Sequence, residues 1–118
     1  MLSSDIISAH QRLKLAKEYA LLVLALSQDN DTTVVIDSTG PSAVPADVSA
    51  ALPIDECRYV LVDTGVKIAA LLWSPGGAPV RNKMIYASRS ALTAAELEGI
   101  SRFAFVETSQ EVADLLTP

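Results

Sequence analysis

No glycine or proline separates Pro79 from Gly99, and that uninterrupted stretch constrains the fold of this chain more than any other feature. Proline suits the first helical position, where its fixed φ helps and its missing N–H costs nothing, and glycine is the residue helices most often stop on. The spacing predicts a helix of about 20 residues, roughly 30 Å long. In a chain of 118 residues such a rod must cross the whole domain, with one side on the core. Ile85 and Leu92 recur seven residues apart, as do Met84 and Ala91, with Ala95 extending the apolar side. The first turns carry Arg81, Lys83 and Met84, so basic and apolar side chains meet where the helix begins. Cations there are slightly opposed by the helix dipole, and a local conflict of that kind points to function. At about 100° per residue Arg81 and Lys83 point about 160° apart, which suits a pair flanking a ridge centred on Met84.

With half its residues apolar, a chain of this size can bury a core without staples, and one domain covering residues 1–118 is expected. Cys57 is the only cysteine, so an internal disulfide and a cysteine zinc cluster are both excluded, and a reducing, cytoplasmic setting is expected. The longest apolar run, Ala20 to Leu26, is far short of the roughly 20 residues that span a bilayer. Asp5 and Glu18 spoil a reading of the first residues as a signal peptide. The net charge of −5 disfavours a broad grip on nucleic acid or anionic lipid, so any basic site must be local.

The rest of the chain divides at its turn signals. Ser3, Ser4 and Asp5 can each cap a helix running from about Ser4 to Lys17, with Ile6, His10 and Leu13 on its apolar row. Tyr19 to Leu26 is expected as a buried strand, and the β-branched Thr32 to Asp37 as its hairpin partner. Ser38 to Val44, with Gly40 and Pro41, is expected as a loop, and Pro45 to Leu52 as a short helix. Cys57 to Asp63 and Val66 to Trp73 form a second hairpin about Thr64-Gly65. Phe103 to Glu107 closes the sheet as a fifth strand, and Gln110 to Leu116 is the last helix. The expected order is α, β, β, α, β, β, α, β, α.

Catalysis finds little support. The single histidine, His10, lies on an apolar row and is expected as a packed or surface-edge side chain rather than a general base. Asp55, Glu56 and Asp63 flank a strand, where carboxylates are usually solvated. Gly76-Gly77 lacks the Gly-Lys-Ser/Thr that a phosphate-cradling loop needs. Cys57 has acidic neighbours in Asp55 and Glu56, the reverse of what a reactive thiolate wants, and Trp73 ends an apolar strand as a core side chain would. No cofactor or metal site is expected.

The run Ala78-Pro79-Val80-Arg81-Asn82-Lys83-Met84-Ile85-Tyr86-Ala87-Ser88 resembles the signature of the ADF/cofilin family of actin-binding proteins. Leu13-Lys14-Leu15, Leu52-Pro53, Asp55-x-Cys57-Arg58-Tyr59, Asp63, Trp73-Ser74-Pro75 and Leu97-x-Gly99 fall in the family's order, so the resemblance covers nearly the whole chain. It implies an α/β (α+β-like) fold, a mixed sheet of five or so strands flanked by helices on both faces. It also implies binding to actin rather than catalysis, in the cytoplasm and at the cytoskeleton. By position, Arg81, Asn82, Lys83, Met84 and Ser88 on the long helix would contact actin. The N-terminal tail, Met1, Leu2, Ser3 and Ser4, and the turn before the last helix, Thr108, Ser109 and Gln110, would add to that contact.

The departures from the pattern carry their own expectations. Anchored on Leu13-Lys14-Leu15, the chain starts late, so the tail serine phosphorylated in many members has no counterpart. The basic loop between the third and fourth strands is reduced to Thr64-Gly65, with Lys67 the one cation after it, and the final helix has no Lys or Arg. A monomeric protein that prefers actin monomers to filaments is therefore expected, with weak phosphoinositide binding at most. The alternatives are a relative acting on an actin-related branching complex and a small enzyme.

Overall fold

Strand β1 (Leu21–Leu26), the sequence LLVLAL, is buried along its whole length, as its unbroken apolar composition requires of a strand covered on both faces. The computed structural model describes residues 4–13, 19–26, 34–40, 45–64, 68–95, 97, 100 and 103–116. The other strands are β2 (Val34–Gly40), β3 (Arg58–Asp63), β4 (Ile68–Trp73) and β5 (Ala104–Val106). The helices are α1 (Ser4–Gln11), α2 (Pro45–Ala50), α3 (Val80–Ala95) and α4 (Ser109–Leu116). The sheet runs β2-β1-β3-β4-β5, antiparallel throughout except for β4 and β5, which pair in parallel. Element order and mixed five-stranded sheet agree with the sequence reading.

Alternation along the strands builds two cores. Leu22, Leu24, Tyr59, Leu61 and Leu72 pack with Ile6, Ala9 and Leu13 of the α1 segment and with Tyr86 and Ala94 of α3. On the opposite face Leu21, Val23, Val60, Val62, Leu71 and Trp73 pack with Val48 of α2 and with Val112 and Leu116 of α4. Helices thus cover both faces, α1 and α3 on one and α2 and α4 on the other, the period-two pattern having sorted each strand's side chains between them. His10 is buried on α1, in line with its place on the apolar row.

Several boundaries and one register position differ from expectation. Ser38 to Gly40 is not loop but the end of β2, pairing with Val23 to Leu21, and Ala20 N–H reaches Gly40 C=O at 2.9 Å. Gly40, a poor strand former, is held there by pairing to a buried neighbour, which overrides local propensity. Asp37 is skipped in the β1–β2 register, a bulge the sequence did not announce. Helix α3 ends at Ala95 rather than Gly99; Leu97 N–H turns back to Ala94 C=O and Ile100 N–H to Leu97 C=O, which buries Leu97. Helix α2 ends at Ala50, followed by tighter turns from Ala51 N–H to Val48 C=O and Leu52 N–H to Ser49 C=O. The expected end of α1 at residues 14–17, the turn residue Gly65 and the left-handed conformation expected of Gly99 lie outside the described residues.

Candidate functional site: the start of the long helix

The chain leaves β4 at Trp73, crosses Ser74-Pro75-Gly76-Gly77 and enters α3 with the Pro79 carbonyl accepting the Lys83 N–H at 3.1 Å. Pro79 therefore stands just outside the helix, whose first residue is Val80, one position later than the sequence suggested. The helix then folds back along the sheet and buries Tyr86, Thr93 and Ala94. The ring of Tyr86 lies 5.1 Å from that of Tyr59, whose own ring lies 5.0 Å from Phe103. The Tyr59 hydroxyl donates to the Tyr86 carbonyl at 2.5 Å, and the Tyr86 hydroxyl accepts the Leu26 N–H at 2.9 Å. These bonds tie the middle of α3 to two different strands. Burial pushes both tyrosine pKa values up, so both hydroxyls stay protonated through the physiological range.

Outward, α3 presents a stripe. At about 100° per residue Arg81, Met84 and Ser88 fall within about 60° of one another, and all three are exposed. Met84 is 66% exposed, a thioether presented to solvent rather than to the core. Lys83 lies half-buried on the flank of that stripe, on the other side from Arg81. This is the predicted ridge: Met84 at the crest, one cation on each side. The Ser88 hydroxyl donates to the Ile85 carbonyl at 2.8 Å, which leaves its oxygen facing outward as an acceptor. The first turn of α3 has no acidic residue to balance the cations.

Asn82 plays a different part from its neighbours. It is half-buried, and its side-chain oxygen accepts the Cys57 N–H at 2.8 Å. That bond fastens the first turn of α3 to the segment entering β3. The segment is further fixed by Arg58, which donates to the Cys57 carbonyl at 2.7 Å and meets Glu56 at 3.0 Å and Asp37 at 3.4 Å. The Trp73 indole N–H donates to the Pro53 carbonyl at 2.6 Å. Cys57 is buried, its thiol 3.7 Å from the Ser74 hydroxyl, and burial raises its pKa, as expected of a structural thiol.

The turn before α4 comes to the same end of the sheet. Because β5 runs parallel to β4, its exit at Val106 lies beside Trp73, and the Ser74 N–H bonds the Val106 carbonyl at 2.8 Å. Thr108 caps α4, its hydroxyl accepting the Glu111 N–H at 3.2 Å and its carbonyl the Val112 N–H at 3.2 Å. Ser109 and Gln110, expected at the turn, form the exposed first turn of α4 itself, with Gln110 bonded to Asp114 at 3.1 Å. Strand topology thus gathers Thr108 to Gln110 and Arg81 to Met84 at one end of the sheet. Ser4 opens α1, and Met1, Leu2 and Ser3 lie outside the described residues.

Two exposed apolar residues at this end went unremarked in the sequence. Val80, inside the signature run, is 72% exposed, and Ile54, between Pro53 and Asp55, is 82% exposed. The available signal was a large aliphatic side chain set in a polar connection.

Comparison with known proteins agrees with this architecture. The family model for cofilin/tropomyosin-type actin-binding proteins matches residues 1–115. Actophorin of Acanthamoeba castellanii is 32% identical over 83% of this chain and 77% of its own. Among solved structures, the cofilin of Streptomyces griseoflavus superposes with a TM-score of 0.79 at 24% identity, over 99% of this chain and 98% of its own. Actin depolymerization factor 2 of Plasmodium berghei gives 0.81 at 21% identity, over 98% and 94%. With its long helix tied across a mixed sheet and a family match over nearly its full length, the chain belongs to the ADF/cofilin family of actin-binding proteins.

Proposed function

We propose that the chain works as one ADF-homology domain that binds actin monomers through the start of α3, and that it promotes filament disassembly while decorating filaments weakly. The supporting observation is the ridge of exposed Arg81 and Met84 with half-buried Lys83 on its flank, at the end of the sheet where Thr108 to Gln110 also emerge. On a chain of net charge −5, two cations around an exposed thioether select a partner face with an apolar pocket and an acidic rim. Met1 to Ser4 would add contacts from the tail.

The monomer preference rests on charge. A filament-binding protein must also meet a neighbouring subunit, and the surfaces expected to do so here are poor in cations. Helix α4 exposes Glu111 and Asp114 and has no basic residue in its last turn. Those carboxylates repel an acidic surface, and they leave phosphoinositide headgroups little to bind. The reading is one of binding rather than catalysis, carried out by a monomer at the cytoplasmic cytoskeleton. Among the described residues no helix is long and apolar enough to cross a membrane.

The test is sedimentation with preformed actin filaments at modest salt. The expected result is a supernatant enriched in actin, with little of this protein in the pellet. Near-stoichiometric pelleting without growth of the supernatant actin would overturn the monomer preference, and failure to bind either form of actin would overturn the reading as a whole.

A further inference from the structure

The three most exposed large apolar side chains among the described residues are Ile54 at 82%, Val80 at 72% and Met84 at 66%. Val80 and Met84 lie one turn apart on α3, where residues four apart are neighbours on one face. Ile54 is distant in sequence, yet the fold brings its loop to the entry of the same helix. A side chain added at Gly77 would meet the Ile54 carbonyl oxygen at 2.6 Å, so the backbone at Gly77, two residues before Pro79, lies directly against Ile54. Three residues beyond Ile54, the Cys57 N–H is held by Asn82 at 2.8 Å, and one residue before it the Pro53 carbonyl is held by Trp73 at 2.6 Å. The loop is fastened on both sides of the one large apolar side chain it exposes.

We infer that Ile54 is a second apolar anchor of the actin-binding surface, extending the Val80–Met84 ridge across the N-terminal end of α3. This rests on the reading of α3 as the actin-facing helix. An isoleucine on a loop pinned at Pro53 and Cys57 loses little further freedom on docking, so its apolar area contributes to binding rather than being spent on ordering the chain. The occupant follows from continuity and charge. Ile54 stands on the loop packed against the entry of the helix that bears Arg81 and Lys83, so a partner spanning both must pair apolar surface with an acidic rim, and the partner of the family to which the chain belongs is actin. In this scheme Asn82 is a positioning residue that keeps the loop against the helix, and Gly77 is the gap into which the loop fits.

The experiment measures binding of fluorescently labelled actin monomers by the unaltered protein and by Ile54→Ser, Ile54→Lys and Ile36→Thr. Ile36, also exposed, lies on β2 at the opposite edge from β5 and serves as the control. The expected result is binding weakened roughly tenfold by Ile54→Ser and further by Ile54→Lys, with Ile36→Thr within about twofold and melting curves unchanged. Binding by both Ile54 variants within about twofold of the unaltered protein overturns the inference while leaving α3 as the site. A failure of the unaltered protein to bind actin overturns the underlying reading instead. Concentration-dependent self-association in sedimentation equilibrium that Ile54→Lys abolishes would assign the patch to a second copy of this chain and overturn it equally.

Discussion

Replacing Arg81 and Lys83 together by glutamate should separate binding from folding with opposite signs. Arg81 sits in the first turn of α3, which contains no acidic residue, and is exposed; Lys83 follows one turn after the Pro79 carbonyl that accepts its N–H. A carboxylate in the first turn of a helix is favoured by the dipole by about 0.3–1 kcal/mol, an effect that fades beyond that turn, so Arg81→Glu carries most of the gain. At about 4 °C per kcal/mol for a domain of this size, the double variant should melt about 1–4 °C higher than the parent. Its binding to actin monomers should fall by two orders of magnitude or more, because like charges facing each other across an interface cost several kcal/mol. Differential scanning calorimetry and fluorescence titration with labelled actin read the two quantities separately. Retained binding would refute the ridge as the contact, and a melting temperature lowered by more than about 4 °C would show that the cations serve the fold.

Other perturbations probe the crest, the helix anchor and the buried hydroxyls. Met84→Ala removes a side chain already two-thirds exposed, so stability should change by less than about 0.5 kcal/mol while actin titration shows a loss of about 1–3 kcal/mol in binding. Tyr86→Phe leaves the buried Leu26 N–H without its 2.9 Å acceptor and should cost about 1–3 kcal/mol in urea unfolding, far more than a surface change. Raising the pH should destabilise the fold. Cys57, Tyr59 and Tyr86 all have folded pKa values above their ordinary 9.0, 10.0 and 10.0, so their stabilising contributions are intact below those values and are lost as the pH climbs through the raised ones. Each proton that the folded state keeps and the unfolded state has lost steepens the decline by about 1.4 kcal/mol per pH unit. Urea midpoints measured from pH 8 to 11 should fall, with a shallower slope above pH 10 in Tyr59→Phe.

Much of the fold could be read from local pattern. The short apolar runs of β1, β3 and β4, bounded by turn signals, and the unbroken stretch after Pro79 each point to one element type, because a strand covered on both faces is short and apolar throughout while a long stretch free of Gly and Pro suits a helix. The ridge was legible for the same reason: Arg81, Lys83, Met84 and Ser88 share one helix, so their relative bearings follow from about 100° per residue. Where the elements stop was not legible. Ser38 to Gly40 reads as loop and is strand, and α3 stops at Ala95 instead of Gly99, because pairing with β1 and burial of Leu97 outweigh local propensity by amounts no single residue displays. Distant groups brought into contact were equally hidden. That Asn82 turns inward to Cys57, that Thr108 follows a strand ending beside Trp73, and that Ile54 stands exposed against Gly77 follow from the parallel course of β5 and from how the chain enters β3. Sequence by itself determined the chemistry of the helix start. The tertiary structure decided what surrounds it, since neighbours far apart in the chain are set by strand order and packing rather than by any local period.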